Sequence, residues 1–364
     1  TAILFLLAAV QALADDRPHS TEHRSRLAFV HPLVNNAIHP AWQRDWERHL
    51  QSANGVQVTS GSVSTDDLYT DLTVNVTEPL NRKFRFLYRG VWRDGLHWDR
   101  DWSEHWLGFE MGLGESWAVH LQAHPTTDKE DFDLLAGLMI HDATREKYLR
   151  FSLRLDDFLY EKKNDEGGMS AQEPISLQWE ARGTVGRWEA FTAGRYGSGS
   201  ERYYPDTDPE LQIYRKDGGS TLRVRHVWSA AKFAGIETSH YTFEKQRDAG
   251  QADDYDNEWL HLKGVGLFGI GGPWGLRPEF HWLRQWSHAT GERNFDHSRE
   301  DVFPALFVEL HAPGRSTWEL GYLATHHSWV YEVNGWTDDT SDYTDKIKLG
   351  WTYAFTPAAR VQFS

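Results

Sequence analysis

From about Asp67 to the end of the chain, apolar side chains recur at every second position. Lys346 to Phe355 shows the pattern best: Ile347, Leu349, Trp351, Tyr353 and Phe355 fall on one face, and Lys346, Lys348, Gly350, Thr352 and Ala354 on the other. A strand with hydrocarbon on one face and water on the other reads this way, because successive side chains of a strand point to opposite sides. Ile175, Leu177, Trp179 and Ala181 oppose Ser176, Gln178, Glu180 and Arg182 in the same manner. Leu149, Phe151, Leu153 and Leu155 oppose Arg150, Ser152, Arg154 and Asp156, and Phe84, Phe86, Tyr88 and Trp92 oppose Arg85, Arg89 and Arg93. Weaker copies include Leu72/Val74/Val76, Trp117/Val119/Leu121, Phe280/Trp282/Trp286 and Trp318/Leu320/Tyr322.

The connections add a second regularity. Short links at Glu78 to Asn81, Gly112 to Glu115, Gly183 to Gly186, Ser229 to Lys232, Gly269 to Gly275 and Ala312 to Arg315 alternate with longer polar segments. The longer ones are Asp94 to Ser103, Pro125 to Asp131, Asp157 to Glu173, Gly197 to Pro209, Gln246 to Tyr255, Ser287 to Asp301 and Glu332 to Ser341. Strands of about 10 residues joined by turns at one end and long loops at the other predict an all-β, transmembrane, antiparallel up-and-down β-barrel of about 16 strands.

Upstream the period changes. Ala2 to Val10 is a short apolar run followed by Gln11-Ala12-Leu13-Ala14 and Asp15-Asp16, which predicts a secretory signal over 1–14 cut after Ala14. Residues 15–55 read as a periplasmic extension or plug. Its second half predicts a short helix over 40–53, with Trp42, Trp46, Leu50 and Ala53 at helical spacing, Pro40 in the first turn and Gly55 to end it. The barrel then occupies 56–364, with Val56 to Thr65 as an outward strand.

Composition sharpens this picture. The 364 residues hold no cysteine, which excludes a disulfide scaffold, a Cys-ligated metal and a thiol nucleophile. Past position 14 no apolar run reaches the roughly 20 residues of a membrane helix. Yet 18 Trp, 18 Phe and 14 Tyr are far too many for a disordered chain. A mean hydropathy of -0.63 together with this aromatic load suits a wall that is apolar outside, polar inside and belted with aromatics.

At this point the chain resembles the porin-like outer-membrane β-barrels of Gram-negative bacteria. The resemblance is one of architecture, covers nearly everything after Asp67 and rests on no family-specific motif. It implies location in the cell outer membrane, contact with outer-membrane lipid and lipopolysaccharide, and a possible homo-oligomer. Such barrels close on a strand with an aromatic last residue. Here Val361-Gln362-Phe363-Ser364 follows a short turn, so the sequence is expected to stop before the closing strand.

The strand faces carry the candidate chemistry. Arg85, Arg89, Arg93, Arg150, Arg154, Arg182, Arg223, Arg225, Lys346 and Lys348 fall on the face opposite the aromatics, as do Glu279 and His281. Such groups would cost about 2–4 kcal/mol each near the midplane of a bilayer if they faced lipid, so they are expected to line a wet pore. Rings of Arg and Lys favour anions; mixed charges that pair with one another would instead fill the barrel. Asp253, Asp254, Asp256, Asp338, Asp339 and Asp342 are placed in the long loops, where they contribute to the net charge of -15. That sign argues against nucleic acid as a partner. Trp98, Trp102 and Trp106, set among His97, Asp99, Arg100 and His105 in loop Asp94 to Trp106, are candidate solute contacts, since aromatic faces beside hydrogen-bonding groups suit sugar rings.

Signals for enzyme chemistry are weak. Gly264 to Gly269 matches G-x-G-x-x-G, but Gly271-Gly272-Pro273 follows instead of a helix. His326-His327-Ser328 with Glu332, and His141-Asp142, lack flanking motifs, and the 19 His contain no H-E-x-x-H. No enzyme, no cofactor and no metal is expected. The sequence reads first as a channel for passive diffusion of small hydrophilic solutes or oligosaccharides. A non-conducting structural or adhesive barrel acting through acidic loops is the alternative, and a secreted soluble sugar-binding β-protein the third.

Overall fold

A computed structural model describes residues 55–363, apart from 65–66, 96–101, 126–131, 144–146, 156–168, 173–174, 205–210, 230–231, 248–253, 291–294, 313–315, 334 and 357–358. The signal over 1–14, the helix expected over 40–53 and Trp98 lie outside the described residues. All regular structure within them is β. The strands are β1 (Gly55–Ser64), β2 (Asp67–Pro79), β3 (Phe84–Gly95), β4 (Trp102–Gly112), β5 (Trp117–Pro125), β6 (Phe132–His141) and β7 (Tyr148–Leu155). There follow β8 (Met169–Gln172), β9 (Ile175–Val185), β10 (Trp188–Gly197), β11 (Ser200–Tyr204), β12 (Leu211–Ser229) and β13 (Lys232–Arg247). The series ends with β14 (Asp254–Gly271), β15 (Trp274–Thr290), β16 (Phe295–Ala312), β17 (Ser316–Val333), β18 (Trp336–Thr356) and β19 (Ala359–Phe363).

All pairings are antiparallel, and apart from β8 and β11 each strand pairs with the next in the chain. The short β8 and β11 pair with each other as outer continuations of β9 and β10, so the chain makes sixteen full passes before β19. β1 lies alongside β19, which brings the sheet round on itself. The expected up-and-down β-barrel is therefore the observed fold, including the strand expected over Val56 to Thr65.

Register separates the two faces. On β15 the odd positions 275 to 289 point inward and all of them are buried, while Trp274, Phe280, Arg284, His288 and Thr290 on the other face are exposed. The outward face is apolar near the tight links: Leu107, Leu121, Phe151, Leu177, Leu306 and Leu320 are all exposed. Trp117, Trp188, Trp228, Trp274, Trp318 and Trp351 form a girdle beside those links. Across the apolar band lie Tyr196, Trp282, Tyr322 and Tyr343. Small apolar clusters occur on the inward face instead of one central core, among them Ala305/Phe307/Leu323 and Leu283/Phe303.

Two glycines matter to how the wall packs. Gly186, with φ of 60°, makes the tight β9–β10 link, which a side chain would strain. Gly321 faces Phe307 on β16, whose ring lies 2.2 Å from where a β-carbon would stand; the aromatic covers the gap in the sheet.

The loop assignments need correction. Much of the chain expected as long loops continues as strand: β15 runs to Thr290, β16 starts at Phe295, and β17 and β18 meet across 334–335. Asp254, Asp256, Asp338, Asp339 and Asp342 are strand residues, not loop residues. Strand length also departs from the expected 10 or so. β3 to β7 have 8 to 12 residues, whereas β12 to β18 have 16 to 21. At about 3.3 Å per residue the second half of the wall stands well above the first. In the upper part of these strands both faces carry polar residues, and the alternation that marks a strand in the sequence disappears.

Candidate functional site

The site is the inward face, built row by row from cross-strand pairs. β3 sets Arg85 opposite Glu110, Arg89 opposite Trp106 and Arg93 opposite Trp102. β7 brings Arg150 opposite Glu180, and β12 brings Arg223 opposite Glu237 and Arg225 opposite Gly235. Arg182, Glu279, His281, Lys346 and Lys348 fall on inward rows as well. All twelve candidate lining residues thus share one face of the sheet.

What the sequence leaves open is which acids accompany them. Arg150 lies 3.7 Å from Glu110 and 4.0 Å from Glu180, which also accepts a short hydrogen bond from Tyr148. Arg154 donates to Asp133 at 2.6 Å. Glu189 sits between Arg225 at 2.6 Å and Arg182 at 3.9 Å. His120 reaches Ser152 at 2.9 Å by crossing the space left by Gly137.

On the taller wall the pairing is denser. Arg277, absent from the expected set, is ion-paired to Glu309, to Glu319 at 2.6 Å and to Glu279 at 2.7 Å, the last off the N–H line and so without a hydrogen bond. Its guanidinium lies 4.2 Å from the centre of the Phe307 ring. Lys263 adds a second cation 3.3 Å from Glu279, and Lys348 stands 3.3 Å from Glu319. His281 bonds Glu279 at 3.0 Å and His261 at 3.0 Å, and stacks on Phe303. Bonds of both imidazoles are met if each carries its proton on Nε2: His281 donates to Glu279, and His261 donates to Nδ1 of His281.

Exposure divides this lattice into two parts. The side chains of Arg150, Arg154, Arg182 and Arg225 keep 17–21% of their surface, while Glu110, Asp133 and Glu180 beneath them keep 4–9%. These arginine side chains are therefore more open to the interior of the barrel than most of the carboxylates they pair with. On β15 and β16, Arg277, Glu279, His281 and Glu309 keep 1–3%. An ion pair taken out of water so completely carries a large desolvation cost, which its mutual contacts must offset.

Trp106 requires a second correction. It belongs to β4, not to a loop, and only 6% of it is exposed; His124 stacks on it at 5.3 Å and the Arg154 guanidinium lies 5.0 Å from its centre. A ring so covered offers no open face to a solute. Trp102 pairs with Arg93, four residue pairs further along β4.

The catalytic pairings considered from sequence are not assembled either. His327 faces inward and contacts Asp301 at 2.8 Å, whereas Ser328 is on the opposite face; His141 bonds the backbone oxygen of Asp142 at 2.7 Å. Among the described residues no group of three or more His, Asp or Glu could hold a metal ion. Beyond the apolar band, burial and the Arg299 cation hold the His297 imidazole below its ordinary range, so it is neutral at neutral pH. The missed residues Arg277, Lys263 and Glu319 do alternate with apolar neighbours, but nothing in the sequence brings them together.

No protein-family profile matches the chain, and no curated protein is similar to it. Among solved structures it is similar to the outer-membrane expressed OmpT of Vibrio cholerae, at 12% identity over 79% of this chain and 88% of that one, with a TM-score of 0.41. The trimer form of in-vitro folded OmpT from the same organism matches at 10% identity over 78% and 89%, with a TM-score of 0.39. A bacterial polysaccharide outer membrane secretin matches at 10% over 80% and 90%, with a TM-score of 0.35.

Proposed function

We propose that the chain is an outer-membrane channel through which small hydrophilic solutes diffuse, with a weak preference for anions. The observation that carries this reading is the opposition of the two faces: exposed Leu, Phe and Trp outside, and partly exposed arginine side chains inside. Cations at the surface with their acids set deeper leave a positive inner lining, although each pair is nearly neutral. The bilayer location has its own test. Phe280, 53% exposed in the apolar band, is replaced by arginine; unfolding in lipid vesicles should show a loss of about 2–4 kcal/mol. A loss within 0.5 kcal/mol, the size typical of a surface change in water, would mean that this face does not meet hydrocarbon.

A second reading, a non-conducting structural barrel, is favoured by one feature, the nearly complete burial of the ion pairs on β15 and β16. Planar-bilayer recording separates the two. The channel reading expects stepwise conductance after reconstitution, and a flat trace at all voltages would leave the structural barrel. Neither reading assigns the chain a catalytic step.

A further inference from the structure

Above the buried ion pairs, the inward face of the taller wall changes character. One row across the sheet runs Tyr241, Trp259, Gln285, Arg299, Trp329 and Thr340. The next row outward runs Phe243, Asn257, Ser287, His297, Tyr331 and Asp338. Tyr241 and Trp259 lie 5.7 Å apart with their rings tilted by 31°. Trp329 is on the third strand over from Trp259, about 14 Å away at the usual strand spacing. The rings are half-buried, and Tyr331 is exposed.

Between the two aromatic groups the wall is polar and already ordered. Gln285 and Ser287 both donate to the Asn257 side-chain oxygen at 3.1 Å. Arg299 is fixed by Asp301 at 2.9 Å, so its charge is matched. Below the rows, Leu283 and Phe303 support Trp259 from one side. Large apolar faces turned toward a wet interior are what folding alone avoids, and an apolar patch with a few convergent polar groups marks a ligand surface.

We infer that this surface, on β13 to β18, binds a neutral oligosaccharide on its way into the barrel. Ring faces at Tyr241/Trp259 and Trp329/Tyr331 take the C–H faces of sugar units, and Arg299 and His297 between them meet hydroxyl groups. The matched charge of Arg299 selects a neutral chain over an anionic one. The span between the aromatic groups requires several linked units, so a monosaccharide engages one group at a time. This assignment rests on the channel reading for access from outside, and it moves solute contact from Trp106 to another part of the wall.

The test uses the full chain in detergent, with tryptophan emission titrated by maltohexaose, cellohexaose and isomaltohexaose, and single-channel recording with the same sugars. Saturable change in emission and transient current block are expected for at least one hexasaccharide, at least tenfold weaker for glucose. Trp259→Ala and Trp329→Ala should each weaken binding about tenfold, while Trp228→Phe in the outer girdle leaves it intact. A conducting channel that none of the three sugars blocks or perturbs overturns the assignment and leaves the channel reading standing. Sugar binding without conductance would overturn the channel reading alone.

Discussion

Replacing Arg277 with methionine should cost the barrel about 3–5 kcal/mol, the loss typical when one member of a buried ion pair is removed and its partners remain. Here the partners are three carboxylates, Glu279, Glu309 and Glu319, on β15, β16 and β17. Lys263 and Lys348 stay in place beside Glu279 and Glu319, while Glu309 has His311 at 3.5 Å and loses the guanidinium bonded to it. Arg277→Lys restores a charge without the planar fork that reaches Glu309 and Glu319 together, so it should recover part of the loss. Urea unfolding in detergent micelles, followed by tryptophan emission, measures both. A loss below about 1 kcal/mol, the value of a solvent-exposed pair, would show that water reaches this wall and that the inner space is wider than the burial implies.

The double variant Arg182→Gln/Arg225→Gln should reverse the local sign of the lining. Glu189, 23% exposed, then loses both of its cations and faces the interior alone. A unit charge about 8 Å from a passing ion in water is worth about 0.5 kcal/mol, or roughly half that after screening at 0.1 M salt. Acting oppositely on anion and cation, that changes their permeability ratio about twofold per arginine and about fourfold for the pair. The reversal potential in a potassium chloride gradient reads this ratio directly. An unchanged potential with normal conductance would place these arginines away from the narrow part of the path.

The two variants probe different depths of legibility. That Arg182, Arg225, Glu279 and His281 share the inward face follows from position parity within a strand, and register agrees with it. That Arg182 and Arg225 stay partly wet while Glu279 is buried does not follow from parity, since all three alternate with apolar residues in the same way. Trp106 illustrates the opposite failure. Its polar neighbours make the segment look like loop, yet β4 begins at Trp102 and brings the ring against His124 and Arg154. The outer ends of β13 to β18 are misread for the same reason: there the outward side turns from Leu260 and Leu262 to Asp254, Asp256 and Glu258, and the apolar alternation that marks a strand is lost.

By itself the sequence determines the all-β architecture, the assignment of each strand residue to one of two faces, and the chemical contrast between those faces. These are local properties, since alternation comes from backbone geometry, which sends successive side chains to opposite faces. Only the tertiary structure decides the height of each strand, the partner of each charge and its access to water. Arg277 and Glu319 are 42 positions apart, and they meet because β16 lies between β15 and β17 in a fixed register. Register depends on links and pairings around the whole sheet, so no stretch of sequence contains it.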